Sequence, residues 1–283
     1  MDRFKVMSFN LRGSAFDDGA NVWPARAEMA LDLIAKHDPD VIGFQEVQAG
    51  NLAALIERFG GAYDFELGTK AITRGDDFHY VPLFWKRRSF FFQAAGSFYL
   101  SETPDCWSMF PTGTLIRSAT WVRLEQARGE PRPLFLLNSH FDHLNQRARE
   151  QSADLVVQQM QALCPPDVPM IFTADSNEYF TSQFLPPDVL TTFHEEIATS
   201  GGNTHASFTD AGFIDAFHAA GHTDSASDNT FHDFKGESYP QMGLRIDWIL
   251  ERGLKVEAFE IIRDAQPPVY PSDHYPVLAT LAW

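Results

Sequence analysis

The 283-residue sequence contains little cysteine, little basic charge and no long apolar run. Cys106 and Cys164 are too few for a disulfide framework or a cysteine-rich zinc site, and they favour a reducing compartment. No segment reaches the roughly 18 apolar residues that a transmembrane helix needs, and no basic head with an apolar stretch precedes the first strand-like pattern. We therefore expect a cytoplasmic protein with no secretion signal and no membrane partner.

The charge balance is acidic, with 22 Lys and Arg against 38 Asp and Glu and a formal net charge of −16. Non-specific binding to DNA relies on Lys and Arg that neutralise phosphates, so this balance argues against a general polyanion-binding protein. The composition, 44% hydrophobic and 21% charged, is ordinary for a globular chain. From the length and the even spread of strand patterns we expect a single domain over residues 1–283, acting as a monomer.

Several widespread catalytic motifs are missing as well. The sequence has no CxxC or HExxH pattern, so the common zinc sites are excluded. It has no GxxxxGK[ST] loop for nucleotide phosphates and no G-x-S-x-G turn of the serine hydrolases. The chemistry must therefore come from residues that are scattered along the chain.

Short β-type runs recur over the whole length and alternate with a few helical patterns. Helices are predicted to begin at Pro24 and to cover residues 145–163, and loops are predicted at 68–79, 101–117 and 222–240. Many strands with few long helices predict an α/β (α+β) fold, a four-layer α/β/β/α sandwich in which helices flank two packed mixed β-sheets. The predicted strands cover residues 4–10, 41–46, 81–85, 119–125, 134–139, 168–174, 244–250, 254–261 and 277–281.

Polar side chains accompany six of these predicted strands, mostly at their ends. Because packed strands bring their ends together, we expect these side chains to converge on one point. Converging carboxylate and amide oxygens suit a hard cation, which predicts a Mg²⁺ site, with Mn²⁺ as the alternative ion. The side chains are Asn10, Glu46, His140 with Asp142, Asp175 with Asn177, Asp247, and Asp273 with His274.

Six short motifs occur in an order that, taken together, resembles the endonuclease/exonuclease/phosphatase superfamily, whose fold is DNase I-like. The resemblance spans residues 7–277 and is nearest to a group of compact bacterial members. It implies the same four-layer sandwich that the strand pattern predicts. The motifs are Met7-Ser8-Phe9-Asn10-Leu11-Arg12, Gln45-Glu46-Val47, Asn138-Ser139-His140-Phe141-Asp142-His143, Ala174-Asp175-Ser176-Asn177, Arg245-Ile246-Asp247-Trp248 and Tyr270-Pro271-Ser272-Asp273-His274-Tyr275-Pro276-Val277.

The resemblance implies a metal site. It makes Glu46 the main Mg²⁺ ligand, with Asn10 beside it, and it assigns Asp273 to the metal or water network. One position departs from the family, since abasic-site endonucleases have Asp where this chain has Arg12. The departure argues against an abasic-site endonuclease and removes one acid from the metal site.

The resemblance also implies the catalytic residues. Asp175 and Asn177 would position or deprotonate the attacking water. His274 would contact the scissile phosphate while Asp247 accepts the hydrogen bond of its other ring nitrogen and fixes the tautomer. His140 would stabilise the phosphate from the opposite side.

Four further residues are candidate substrate contacts. His79 and Tyr80 precede a predicted strand, and Asp142 belongs to one of the matching motifs. Arg147, at the start of a predicted helix, has the charge to hold a phosphate, although a solvated helix face explains it equally well.

These residues predict a Mg²⁺-dependent phosphoesterase that hydrolyses a phosphate ester by in-line attack of water. The expected substrate is a small phosphorylated metabolite such as a sugar phosphate, because the chain has no basic stripe with interleaved aromatics. The alternative is an exo- or endonuclease that acts on single-stranded RNA or DNA. A non-catalytic binding module would be expected to lack Asp175, Asp247 or His274, and a glycoside hydrolase with paired carboxylates would need no metal.

Overall fold

The structure, a computed structural model, describes residues 3–72, 78–178, 184 and 203–283. The described helices are α1 (Trp23–His37), α2 (Ala49–Phe59), α3 (Gln146–Leu163), α4 (Asn203–Asp210) and α5 (Ala216–Ala219). The strands are β1 (Arg3–Asn10), β2 (Val41–Gln45), β3 (Tyr63–Glu66), β4 (Ala71–Ile72), β5 (Phe78–His79), β6 (Leu83–Lys86), β7 (Phe90–Tyr99), β8 (Ser118–Gln126), β9 (Pro133–His140), β10 (Met170–Asp175), β11 (Ile214–Asp215), β12 (Asp247–Arg252), β13 (Lys255–Ile261) and β14 (Val277–Ala282).

Twelve of these strands form two six-stranded sheets, in the orders β13-β14-β1-β2-β6-β3 and β11-β12-β10-β9-β8-β7. β1 and β2 are parallel in the first sheet, as are β9 and β10 in the second, while the other neighbours are antiparallel. Both sheets are therefore mixed. β4 and β5 form a separate hairpin.

Three hydrophobic layers hold the sandwich together. The layer between the sheets includes Val6 of β1 and Leu136 of β9. Phe9, on the opposite face of β1, packs in a second layer with α1 and α2, and Phe172 of β10 packs in a third layer with α3 and α4. Alternate residues of the central strands thus bury both faces of each sheet, which confirms the predicted four-layer fold.

None of the helices among the described residues combines the length and the apolar composition that a membrane crossing requires.

The structure corrects several sequence-based boundaries. The sequence pattern predicts no strand at β7, because the centre of that strand is Gln93-Ala94-Ala95-Gly96-Ser97, and pairing with β8 imposes the strand there. The predicted strand 244–250 begins only at Asp247, since the backbone of Leu244 bonds to the side chain of Asn229 instead. α1 begins at Trp23, one residue before Pro24.

The sequence pattern also misses α2, whose N-terminus is fixed by a reciprocal hydrogen-bond box between Gln48 and Asn51. The predicted loop 68–79 contains β4 and β5, and part of it lies outside the described residues. The helix predicted at 145–163 is confirmed as α3, with Asn145 as its N-cap.

A buried polar junction joins the two sheets near the ends of β2, β9 and β10. Asn138 of β9 donates through Nδ2 to the carbonyl of Phe44 in β2 at 2.6 Å and to that of Pro82, just before β6, at 3.1 Å. Its Oδ1 accepts from Gln45 Nε2 at 2.7 Å and from Thr173 Oγ1 at 3.0 Å. All four hydrogen-bonding positions of this fully buried amide are therefore used, and its bonds fix one sheet against the other.

Replacing Asn138 by Leu keeps the side-chain volume but removes the partner of the buried Phe44 carbonyl and of the buried Thr173 hydroxyl, whereas the Pro82 carbonyl keeps its bond from the Phe44 N–H at 3.0 Å. The N138L variant should lose at least about 2 kcal/mol of unfolding free energy, because each buried unsatisfied group costs roughly 1–3 kcal/mol. Urea unfolding followed by circular dichroism measures the change. Q158L, an exposed polar-to-Leu change on α3, should shift stability by no more than about 0.5 kcal/mol. Equal stability of N138L and the unmodified protein would contradict the junction's role.

Candidate active site

The candidate residues meet at one end of the sandwich, around a cavity of about 270 Å³. The ends of β1, β2, β9 and β10 and the starts of β12 and β14 converge there, because β12 and β14 are antiparallel to their neighbours β10 and β1. Asn10 and Asp247 are buried and hydrogen-bonded to side chains of the cavity wall. Six candidates line the cavity itself: Glu46, His140, Asp175, Asn177, Asp273 and His274.

The Asn10 amide links carboxylates from both sheets. Its Nδ2 donates to Asp175 Oδ2 at 2.8 Å and to Glu46 Oε1 at 3.4 Å. Glu46 itself adopts a left-handed backbone with φ of 56°, and Asn177 does so with φ of 52°. Such conformations are uncommon for residues other than glycine, and they persist where the surrounding structure holds a functional side chain in place.

His274 and Asp247 form a buried dyad. His274 Nδ1 lies 2.9 Å from Asp247 Oδ2, while its Nε2 faces Asp175 Oδ2 at 3.7 Å. Burial alone would lower the pKa of His274, but the charges of Asp247 and Asp175 and the Asp247 hydrogen bond outweigh it and raise the pKa to about 10. The imidazole is therefore held as a doubly protonated cation at neutral pH.

Asp175 has the properties of a base that titrates near neutrality. Burial raises its pKa to about 7, assisted by the nearby Asp247 and Glu46 and opposed by His274 and Asn10. His140 Nε2 lies 3.2 Å from Asp175 Oδ2. Burial, together with Arg117, keeps the pKa of His140 well below its usual value, so this imidazole is neutral and can donate Nε2–H to Asp175.

A divalent cation fits the acidic side of the cavity. The pKa values of Asp175 and Asp273 are both raised, first by burial and further by the charge of Glu46, so the three carboxylates repel one another. A bound cation would relieve that repulsion, and oxygen donors from carboxylates and an amide suit a hard ion. Donor atoms of Asp175, Asp247 and His274 also lie within 4.8 Å of one another. Glu46 lies beside this group, since Asn10 Nδ2 donates to both Asp175 Oδ2 and Glu46 Oε1.

The cavity also contains an arginine that the sequence-based prediction misses. Arg117 is only 5% exposed, lines the cavity, and has no hydrogen-bond partner for Nε or Nη1. Within the described ranges no Asp or Glu forms a salt bridge with it. In the sequence, Arg117 is simply a basic residue between a predicted loop and a predicted strand. Such residues are common, so this position alone does not indicate a functional arginine.

The four predicted substrate contacts lie outside the cavity lining. Arg147 is exposed on α3 and forms an ion pair with Glu150 at 3.2 Å. His79 is fully buried behind His140, with ring centroids 6.0 Å apart, and the backbone of Tyr80 pairs with Val47 beside the site.

Asp142, the fourth predicted contact, is buried and accepts four hydrogen bonds. The donors are the backbone and hydroxyl of Thr114 and the backbone N–H groups of Leu144 and Asn145. Burial opposes ionisation, but these bonds outweigh it and lower the pKa of the carboxyl. The structure thus gives Asp142 an internal role, joining the loop before β8 to the start of α3.

Residues 7–274 match the sequence model of the Endonuclease/Exonuclease/phosphatase family. The chain belongs to this family. Its members are hydrolases that act on phosphate esters, and the chain is a phosphoesterase of this class. The match confirms the resemblance seen in the six sequence motifs. No curated protein shows significant sequence similarity to the chain.

Solved structures of the family share the fold over nearly the whole length. The endonuclease/exonuclease/phosphatase from Bacteroides vulgatus is 26% identical over 99% of both chains, with a TM-score of 0.81. A mannosyl-6-phosphatase from Bacteroides thetaiotaomicron is 26% identical over 99% of this chain and 100% of its own, with a TM-score of 0.78. TDP2 of D. rerio, solved with a single-strand DNA product, is 18% identical over 99% of each chain, with a TM-score of 0.70, and shares the fold.

The dyad geometry predicts the effect of D247N. Without the charge of Asp247, the pKa of His274 should fall from about 10 towards its ordinary value near 6.5. A titration of the imidazole resonances by NMR, in protein freed of metal with EDTA, measures the shift. D264N removes a partly exposed carboxylate that pairs with Lys36 and His37 elsewhere, and it should leave the His274 titration unchanged. A His274 signal that already titrates near pH 6.5 in the unmodified protein would contradict the dyad.

Proposed function

We propose that this phosphoesterase is a phosphatase that hydrolyses a small phosphomonoester, such as a sugar phosphate, with Mg²⁺ or Mn²⁺ bound at Glu46. The observation that carries the proposal is Arg117, a buried guanidinium that lacks both a salt-bridge partner in the described ranges and hydrogen-bond acceptors for two of its nitrogens. The charges of Glu46, Asp142 and Asp175 act on this cation, but none of them forms a salt bridge with it. A buried cation without a direct partner is costly, so the site suits an anionic ligand. A phosphate matches the fork of a guanidinium and accepts two parallel hydrogen bonds from it.

The neighbouring side chains supply the other functions of a phosphoryl site. Asp175, with a pKa of about 7, is suited to accept a proton from the attacking water, and Asn177 is fixed beside it by a 3.0 Å bond from its backbone N–H to Asp175 Oδ1. His274, held protonated by Asp247, would donate Nε2–H to a phosphate oxygen. Positioning and charge compensation of this kind supply most of the catalysis in phosphoryl transfer.

Glu46 would hold the divalent ion, with Asn10 and Asp273 beside it. Bound there, the ion would supply Lewis-acid compensation of the negative charge on the phosphate oxygens. The oxygen donor set supports Mg²⁺ or Mn²⁺ over softer metals.

The cavity supports a small substrate over a nucleic acid. Its volume of about 270 Å³ lies below the ~300–1,000 Å³ of pockets that bind drug-sized ligands. The net charge of −16 disfavours a long polyanion outside the cavity. The similarity to a mannosyl-6-phosphatase supports the same assignment. The alternative, a nuclease for single-stranded RNA or DNA, has no observation of its own in the described residues.

A substrate screen tests the proposal. Purified protein should release phosphate from hexose phosphates, lose this activity in EDTA, and regain it with Mg²⁺ or Mn²⁺. E46Q should need a much higher metal concentration for half-maximal activity, because it lacks the charge of the main ligand, whereas E57Q, an exposed change on α2, should behave like the unmodified protein. Turnover of single-stranded oligonucleotides at catalytic rates, without phosphatase activity, would overturn the proposal.

D175N tests the assignment of the base. An amide cannot accept the proton of water, so kcat should fall by about 100-fold or more while the protein folds normally. D210N, an exposed carboxylate at the end of α4, serves as the matched control. Steady-state kinetics with a hexose phosphate at saturating Mg²⁺ measures the effect. A D175N variant with near-normal kcat would exclude Asp175 as the base.

A further inference from the structure

The cavity contains two arginines in opposite electrostatic situations. Arg117 has no carboxylate partner in the described part of the chain, whereas Arg12 is compensated by two. Nε and Nη2 of Arg12 bond to Asp18 at distances of 2.9 to 3.3 Å, and Nε lies 3.7 Å from Asp273 Oδ2. The two guanidiniums therefore suit different ligand groups.

The Arg12 guanidinium is also held rigidly. It stacks over the ring of Phe16, 4.0 Å from its centroid, and both residues line the cavity. The backbone at Arg12 has a left-handed φ of 52°, its N–H donates to Asn10 Oδ1 and its carbonyl accepts from Arg26 Nη2 at 2.7 Å. Both the backbone and the side chain are thus fixed before a ligand arrives.

One edge of this guanidinium remains available. Nη1 is the single nitrogen of Arg12 for which the described residues provide no hydrogen-bond acceptor. Because Asp18 and Asp273 balance its charge, a second anionic group would gain little there and would meet two carboxylates. A neutral oxygen acceptor such as a hydroxyl gains a directed hydrogen bond without that repulsion. The ring of Phe16, which also lines the cavity, offers apolar contact to the carbon atoms of a sugar.

We infer that Arg12 and Phe16 form a leaving-group subsite that selects a polyhydroxylated, uncharged alcohol, with Nη1 of Arg12 donating to its hydroxyl oxygens while Arg117 holds the phosphate. This inference rests on the proposed phosphatase function and narrows its substrate to esters of sugars or polyols. It makes Arg12 a specificity-determining residue at the position where abasic-site endonucleases have Asp.

Two primary alkyl phosphates isolate this contact. Mannose 6-phosphate carries ring hydroxyls, whereas n-hexyl phosphate has a similar length and the same type of ester bond but no hydroxyl. R12M keeps an unbranched stem against Phe16 and removes all donors. It should lower kcat/KM for mannose 6-phosphate about tenfold, mainly through KM, because one or two hydrogen bonds to neutral oxygens are lost. At saturating Mg²⁺, the same variant should lower kcat/KM for n-hexyl phosphate by a clearly smaller factor. Both esters share any effect that R12M has on Asp273, which lies 3.7 Å from Nε of Arg12, so the ratio of the two losses isolates the hydroxyl contact.

R12K distinguishes a directed contact from a charge effect. Lysine keeps the positive charge but cannot bond to Asp18 as a fork and present a further nitrogen. It should therefore resemble R12M on mannose 6-phosphate, and recovery of normal KM by R12K would overturn the directed contact. Turnover of n-hexyl phosphate serves in each variant as the measure of an intact catalytic site.

These measurements distinguish a failure of the Arg12 subsite from a failure of the proposed phosphatase function. Equal losses on both esters in R12M, or no preference of the unmodified protein for mannose 6-phosphate, would overturn the subsite while phosphatase activity stands. If the unmodified protein hydrolyses neither ester at any Mg²⁺ or Mn²⁺ concentration, the proposed function fails and the subsite fails with it.

Discussion

The site depends on the contact between the two sheets at Asn138. Of the eight candidate catalytic and metal-binding residues, four, including Glu46, lie at or next to strand ends of one sheet, and four, including Asp175, lie at or next to strand ends of the other. Gly43 allows the close approach, because a Cβ there would lie 2.1 Å from Thr173 Oγ1 and 2.7 Å from Asn138 Oδ1. The Asn138 amide, with all four of its hydrogen-bonding positions used, spans this narrow gap and sets the distance between the two sheets. None of the residues in these bonds takes part in the proposed chemistry.

The charged groups of the cavity are buried, so they strongly shift one another's pKa values. Buried carboxylates raise one another's pKa values, and the same carboxylates keep His274 protonated. Arg117 and a neutral His140 also line the cavity, and no carboxylate in the part of the chain described forms a salt bridge with the guanidinium, although the charges of Glu46, Asp142 and Asp175 act on it. Acids that attract a cation thus share one cavity with donors that attract an anion, an arrangement suited to a phosphate bound to a metal.

Much of this arrangement could be predicted from the sequence, because packed strands in a two-sheet sandwich bring their ends, and the polar residues there, close together. The convergence of Asn10, Glu46, Asp175 and His274 follows from that geometry. Arg117 could not be predicted, since only the folded structure shows that it is buried without a partner. Asp142 was expected to contact substrate, but its four internal hydrogen bonds depend on a loop whose conformation no local pattern encodes.

We propose that acids of both sheets converge on one divalent ion held by Glu46. Anomalous diffraction from crystals grown with Mn²⁺ tests it directly, because the ion's position is read without reference to activity. We expect one anomalous peak within roughly 2.0–2.6 Å of a Glu46 carboxylate oxygen, the range of bonds from hard divalent ions to oxygen. A peak centred on His274 and Asp247 instead, or no peak in this cavity at saturating Mn²⁺, would contradict it.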